Sequence, residues 1–137
     1  MNREEIKKII PHREPMLLVD EAYVTGENEA KGVYHVKGDE WFLQGHFPGN
    51  PVVPGVVLCE IMAQACSVIL ADSVKGATPY FSGLNNVKFK KPVKPGDKIE
   101  IECKIVRNKS VFYFAEGACY VGDEMCVSGE FSFAVKK

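Results

Sequence analysis

The hydrophobic pattern predicts one long buried helix in the first half of the chain. Residues 56–71 are apolar except for Glu60, Gln64 and Ser67, and a helix that is apolar nearly all round is buried on most sides. We expect this helix to run from Val56 to about Val74. Its three polar residues fall at i, i+4 and i+7, so they share one face. Such a stripe is either a satisfied core network or a functional site.

The rest of the chain has mainly the period of β-strands. Before the long helix, a short helix is predicted over Arg3–Ile10. Predicted strands are Met16–Val24, Glu29–Val36, Tyr80–Phe89, Lys98–Val106, Val111–Val121 and a last one from Met125 onward. Turns are predicted at Arg107–Ser110 and Gly122-Asp123. One apolar helix and a run of antiparallel strands predict an α+β fold, with the sheet wrapped around the helix. We expect one domain over residues 1–137.

Composition narrows the classes of function. The net charge is −1, so no global excess of charge indicates nucleic-acid or membrane binding. The five cysteines are odd in number and form no C-x-x-C pair, which argues against a disulfide framework and a zinc site. Residues 1–5 carry charges of both signs and begin no apolar leader segment. The apolar run carries Glu60 and Gln64, which favours a buried helix over a membrane span. We expect a reduced, cytoplasmic protein without a metal or cofactor.

The candidate chemistry lies just before and within the long helix. Residues 45–55 contain three prolines and three glycines, so they predict a rigid loop that begins near His46. A histidine can act as a base, and an apolar surrounding favours the neutral carboxyl of Glu60, which can act as an acid. The backbone N–H of Gly55, at the positive end of the helix, can stabilise a developing oxyanion. A lone histidine or a buried glutamate is more often structural, but together these groups suit removal of a proton and a β-hydroxyl.

Three motifs carry a resemblance to a known family. Residues 46–56 (HFPGNPVVPGV) followed by residues 60–64 (EIMAQ) resemble the signature of the (3R)-hydroxyacyl-acyl-carrier-protein dehydratases of FabZ type. Residues 11–20 (PHREPMLLVD) and 89–97 (FKKPVKPGD) are similar to two further motifs of that family. The resemblance spans nearly the whole chain. It implies a hot-dog fold, in which a curved antiparallel sheet wraps a long helix.

The resemblance also implies an activity and an assembly. Members dehydrate 3-hydroxyacyl carrier-protein thioesters to trans-2-enoyl products in type II fatty acid biosynthesis. By that resemblance, His46 takes the C2 proton, Glu60 protonates or orients the departing hydroxyl, and the Gly55 N–H holds the thioester carbonyl. Family members form homodimers that assemble further, often as a trimer of dimers, and pair the histidine of one subunit with the glutamate of the other. The prolines of residues 48–54 require His46 and Glu60 to meet by tertiary or quaternary approach.

Further residues are assigned roles around this pair. Gln64 is expected either to support Glu60 or to be a helix-surface amide. The resemblance implies that Tyr80 gates the acyl tunnel and that Phe47 contributes to substrate binding. His12 is expected to be structural and His35 solvated. The basic cluster is expected either to protect an edge strand or to dock the acidic carrier protein; its members are Lys88, Lys90, Lys91 and Lys94. The alternatives are a hot-dog thioesterase, a non-catalytic acyl-binding module, and a dehydratase that also isomerises its product to the cis-3 form.

Overall fold

The structure, a computed structural model, describes residues 1–44, 49–71 and 77–136. A short helix α1 (Arg3–Lys7) precedes the long helix α2 (Gly55–Ser67). A six-stranded antiparallel sheet has the order β1-β2-β4-β5-β6-β3. Its strands are β1 (Glu21–Gly26), β2 (Glu29–His35), β3 (Thr78–Phe89), β4 (Lys98–Lys109), β5 (Phe112–Val121) and β6 (Glu124–Lys136). Short 3₁₀ turns cover Trp41–Leu43 and Val68–Leu70.

Helix α2 lies against one face of the sheet and contacts β2, β4, β5 and β6. A single helix can contact four strands because the sheet curves around it. Two glycines allow the close approach: a Cβ at Gly32 would lie 3.0 Å from the Cβ of Ala65, and one at Gly117 would lie 3.4 Å from the Sδ of Met62. The predicted hot-dog arrangement, with the helix on one face of an antiparallel sheet, is therefore confirmed.

The strict alternation along residues 98–106 predicted which face of β4 is buried. Ile99, Ile101 and Cys103 are buried against the helix, while the charged residues between them are exposed. The predicted turn over Arg107–Ser110 is wrong, because the strand continues to Lys109 and only Ser110 and Val111 turn. Ser110 takes the positive φ of 58° that so tight a hairpin turn requires. The turn at Gly122-Asp123 is confirmed.

The predicted strand at Met16–Val24 is wrong in its first half, because β1 begins only at Glu21. Leu17, Leu18 and Val19 are buried, as their apolar character predicted, but they form no ladder. Instead, the side chain of Gln64 accepts a hydrogen bond from the backbone N–H of Leu18 (2.8 Å) and donates one to the carbonyl of Met16 (2.8 Å). A buried helix side chain thus supplies the partners that a neighbouring strand would supply, and the apolar run is a buried loop.

The two helices differ from their predicted lengths. Helix α1 ends at Lys7, and the N–H groups of Ile9 and Ile10 close a last turn on the carbonyl of Ile6 (2.9 and 3.0 Å) before Pro11. Helix α2 begins at Gly55 and gives way to the 3₁₀ turn after Ser67. Its predicted end near Val74 lies outside the described residues.

Candidate active site

Glu60 lies on the polar stripe of α2, where its carboxyl group is held by the next residue of the same stripe. The Nε2 of Gln64 donates to the Oε2 of Glu60 at 2.8 Å. The i, i+4 spacing on a helix places these two side chains side by side. Gln64 is itself almost fully buried, with 1% of its surface exposed. Its polar atoms are satisfied by Glu60 and by the backbone of residues 16–18.

This arrangement decides between the two interpretations of Gln64. A helix-surface amide would be exposed and bonded to solvent, whereas Gln64 is buried and fastens the N-terminal loop to the helix. Supporting Glu60 is therefore the geometry that the structure shows. Ser67, the third member of the stripe, donates to the carbonyl of Ala63 at 2.9 Å and so is satisfied within its own helix.

His12 is the residue that the sequence did not place at this site. Its Nε2 lies 3.4 Å from the Oε2 of Glu60, and the two side chains are about equally buried, with 20% and 22% of their surfaces exposed. The two residues are 48 positions apart in the chain. The motif around His12 was recognised, but nothing in the local pattern of residues 11–20 indicates which helix residue the imidazole meets.

A small cavity opens beside this group. It has a volume of about 20 Å³, which is room for about one water molecule. Its polar wall is formed by His12, Glu60, Gln64 and Ser67, and its apolar wall includes Phe81 and Phe133. Tyr80 also lines it, with 56% of its surface exposed. The structure thus brings Glu60, Gln64 and Tyr80 together around one cavity.

Gly55 lines a different, larger groove of about 450 Å³, together with Val56, Phe89, Lys90 and Lys91. A Cβ at position 55 would lie 2.6 Å from the ring of Phe89, so glycine is what lets the ring cover the helix start. The N–H groups of Val57 and Leu58 already donate to the carbonyl of Pro54 (2.9 and 3.3 Å). Among the described residues, the donors of the first turn without a backbone acceptor are those of Gly55 and Val56.

The four lysines of the predicted basic cluster are all exposed on β3 and the loop that follows it. The four ammonium groups differ in whether an acidic group pairs with them. Lys91 is paired with Glu124, whereas no described acidic group pairs with the ammonium of Lys88, Lys90 or Lys94. The backbone N–H groups of Lys90 and Lys91 donate to the carbonyl of Cys126 (2.8 and 3.3 Å), which fixes this segment next to β6.

The cysteines nearest to Glu60 along the helix are not suited to act as nucleophiles. All five cysteines are free thiols and buried. Burial raises the pKa of Cys59, and the neighbouring Cys103 thiol together with burial raises the pKa of Cys66. Both thiols therefore stay protonated near neutral pH. Within residues 1–44, 49–71 and 77–136, no three His, Cys, Asp or Glu side chains cluster in a way that could hold a metal ion.

His46 and Phe47 lie outside the described residues, so their predicted roles remain predictions. In the part of the chain that the structure covers, no helix has both the length and the apolar character needed to cross a bilayer.

Comparisons with known proteins agree on one family. The FabA-like domain matches residues 10–130. The FabZ 3-hydroxyacyl-acyl-carrier-protein dehydratase of Caldicellulosiruptor bescii is 45% identical over 138 residues, covering 98% of this chain and 99% of that protein. The protein of the same name from Natranaerobius thermophilus is 45% identical over 135 residues, covering 96% and 94%.

A solved structure shows the same fold at lower identity. The dehydratase heterocomplex ApeI:P from Xenorhabdus doucetiae contains a chain that superposes with a TM-score of 0.82 at 21% identity, covering 96% of this chain and 91% of that one. With the motif around residues 46–64 and the placement of Glu60 on a sheet-wrapped helix, these matches identify the chain as a member of the FabA-like family, among the 3-hydroxyacyl-acyl-carrier-protein dehydratases of FabZ type.

Proposed function

We propose that this protein removes water from (3R)-3-hydroxyacyl thioesters carried on acyl carrier protein, giving trans-2-enoyl thioesters for fatty acid biosynthesis. The observation that carries the proposal is the Glu60 carboxyl group, held by Gln64 at the wall of a cavity the size of one water molecule. Family membership supports the same reaction, because curated relatives at 39–45% identity are named for it.

In the proposed reaction, His46 accepts the proton from C2 of the substrate. The electron pair of the C2–H bond forms the C2=C3 double bond, and the C3–O bond breaks. Glu60 protonates or orients the hydroxyl, which leaves as water. The reaction is neutral in oxidation state, so it needs no electron acceptor or donor. General acid and base catalysis of this kind contributes about 10²–10⁴-fold to a rate.

The N–H of Gly55 is proposed to bind the thioester carbonyl. Negative charge builds on that oxygen as the C2 proton leaves, and the start of α2 combines free donors with the positive end of the helix dipole. Gly55 and Glu60 line separate cavities in the single chain. An acyl thioester would therefore have to bridge from the groove at Gly55 to the cavity at Glu60.

A second copy of the chain is proposed to complete the site, as a homodimer that assembles further as a trimer of dimers. The support is the edge strand β3, which pairs only with β6 among the described strands. Four large apolar side chains of this strand are exposed, those of Tyr80, Phe81, Leu84 and Phe89. An exposed, apolar sheet edge is a template for pairing with another chain. His46 of one copy would then meet Glu60 of the other.

Carrier-protein docking is proposed for the basic cluster formed by Lys88, Lys90, Lys91 and Lys94. Lys90 and Lys91 of the cluster line the groove at Gly55, so a carrier bound there would present its thioester at the start of α2. Electrostatic steering of an acidic partner is the physical reason to expect this. Tyr80, exposed at the cavity beside Glu60, is proposed to gate the entry of the acyl chain, and Phe47 is proposed to line the same path.

The test is turnover of a 3-hydroxyacyl thioester of acyl carrier protein, followed by mass spectrometry for the loss of one water. We expect His46→Ala and Glu60→Gln to lose about 10²–10⁴-fold in kcat. The matched controls are His35→Ala and Glu27→Gln, both at exposed positions, which should keep wild-type rates. Release of a free acid instead of an enoyl product would identify a thioesterase and reject the proposal. Chromatography of the product separates trans-2 from cis-3 and so detects any isomerase activity.

Mixing the two inactive variants tests the shared site. After subunit exchange, half of the dimers are mixed, and each mixed dimer has one intact site. About a quarter of the wild-type activity should therefore return if a two-fold dimer shares its sites. No recovery, with exchange confirmed by native mass spectrometry, would reject the placement of His46 and Glu60 on different copies.

A further inference from the structure

The sequence predicts a structural role for His12, but its imidazole lies at the candidate active site. Its Nε2 lies 3.4 Å from the Oε2 of Glu60, and the ring lines the same small cavity. The Oε2 atom therefore faces two nitrogen atoms, the Nε2 of Gln64 at 2.8 Å and the Nε2 of His12. Among the described residues, no donor contacts the other carboxyl oxygen, Oε1.

The position of His12 is fixed by its neighbours. The guanidinium of Arg13 folds back over the chain and donates to the carbonyls of His12 (2.7 Å), Ile10 (3.0 Å) and Lys7 (3.1 Å). The backbone N–H groups of Met16 and Leu17 donate to the carbonyl of Arg13 (2.8 and 3.0 Å). The turn that carries His12 is thus tied to α1 on one side and, through Gln64, to α2 on the other.

The second ring nitrogen, Nδ1, bears on whether His12 donates or accepts the hydrogen in its contact with Glu60. Nδ1 is buried and has no hydrogen-bond partner in the described part of the chain. Either tautomer leaves Nδ1 without a partner, so the difference between them lies at Nε2. A hydrogen on Nε2 points to the Oε2 of Glu60 and can be donated to it, whereas a bare Nε2 would set its lone pair against the oxygen that accepts from Gln64. His12 then donates to Oε2, as the amide of Gln64 does.

We propose that His12 is a positioning residue for Glu60. Gln64 and His12 together hold Oε2, so a proton carried by the carboxyl group sits on Oε1. Oε1 is the atom that addresses the substrate hydroxyl. At 3.4 Å the contact with His12 is long for a hydrogen bond, and contacts of this kind tighten when the substrate is bound. This inference rests on the proposed dehydratase function and assigns a further residue to it.

The experiment compares His12→Leu, His12→Gln and His12→Asn in the dehydratase assay. The amide nitrogen of glutamine can reach the place of Nε2, whereas that of asparagine falls near the place of Nδ1. We expect His12→Leu and His12→Asn to lower kcat by about tenfold, the scale of one weakened hydrogen bond, with KM changed less than about threefold. His12→Gln should keep most of the wild-type kcat. His35→Leu, at an exposed position, is the matched control.

A double-mutant cycle tests whether His12 acts through Glu60. In the Glu60→Gln background, His12→Leu should lower kcat by less than about a further twofold. The carboxyl group through which His12 acts is already absent from that background. A full additional tenfold loss would overturn the proposal, as would wild-type kcat in His12→Leu or equal losses in the Gln and Leu variants. If circular dichroism shows that His12→Leu is unfolded, the comparison of His12→Gln with His12→Asn tests the same point. Absence of turnover by the wild type would reject the dehydratase function itself, a result distinct from any of these.

Discussion

Replacement of Gln64 by leucine tests how much the polar stripe of α2 stabilises the fold. Leucine has a similar size but no polar atoms, so the change leaves the backbone N–H of Leu18 and the carbonyl of Met16 without their 2.8 Å partners. The Leu18 group is buried and pays a desolvation penalty of about 1–3 kcal/mol. The Met16 carbonyl is only partly buried and costs less.

Burial of the larger apolar surface of leucine offsets about 1 kcal/mol of this loss. We therefore expect Gln64→Leu to lower the free energy of unfolding by about 1–3 kcal/mol. For a chain of this length each kcal/mol corresponds to about 3–5 °C in melting temperature. The measurement is urea and thermal unfolding followed by circular dichroism and by the fluorescence of Trp41. All variants are compared at one protein concentration, because assembly makes the melting temperature depend on concentration.

Two companion variants make the test specific. Gln64→Glu keeps an oxygen that can accept from the Leu18 N–H, but it places a second buried carboxyl group 2.8 Å from that of Glu60 and loses the donor to Met16. It should therefore be destabilised at least as much as Gln64→Leu at neutral pH. Gln44→Leu makes the same substitution at an exposed position and should change the free energy of unfolding by less than about 0.5 kcal/mol. If Gln64→Leu is within about 0.5 kcal/mol of the wild type, the hydrogen bonds of Gln64 do not hold the N-terminal loop.

Two further predictions concern charge. Salt links from Lys7 lower the pKa of Glu14 to about 2, so the folded state favours the carboxylate; the stabilisation is complete above the usual value of 4.5 and is lost as pH falls toward 2. Urea midpoints measured between these values should fall less steeply for Glu14→Gln than for the wild type, and an unchanged slope would show that the contacts contribute nothing. Charge reversal at Lys88 and Lys90 should lower kcat/KM for the carrier-protein substrate about tenfold at low salt and leave a neutral N-acetylcysteamine thioester unaffected. Reversal at the exposed Lys31 is the control, and equal losses on both substrates would argue against docking.

Local pattern was sufficient for much of the fold. The apolar run of residues 56–71 predicted a helix that the sheet surrounds, and the alternation along residues 98–106 predicted the buried face of β4. The local pattern gave the wrong secondary structure at Met16–Val19. An apolar run indicates that the side chains are buried, but not which groups the backbone N–H and C=O bond to. Here the partner is Gln64, 46 positions away from Leu18. The place of β3 at the sheet edge, beside the last strand, also depends on long-range pairing that no local window contains.

The candidate site, like the fold, could be predicted from local pattern only in part. The stripe of Glu60 and Gln64 follows from helical spacing alone, and their hydrogen bond is what that spacing predicts. The contact between His12 and Glu60 depends on how the N-terminal loop crosses the helix. That crossing is set by the local hydrogen bonds of Arg13 and by those of Gln64, which lies 46 positions from Leu18 along the chain. The groove at Gly55 likewise depends on the ring of Phe89, which arrives from β3.

The strand order has a consequence for synthesis of the chain. β3 ends at Phe89 and its partner β6 begins at Glu124, so at ~5–20 residues per second a ribosome releases the partner roughly 2–7 s later. During that interval the nascent chain carries an unpaired strand with exposed aromatic side chains. Chaperones that shield emerging apolar segments should therefore matter most between the release of β3 and the release of β6.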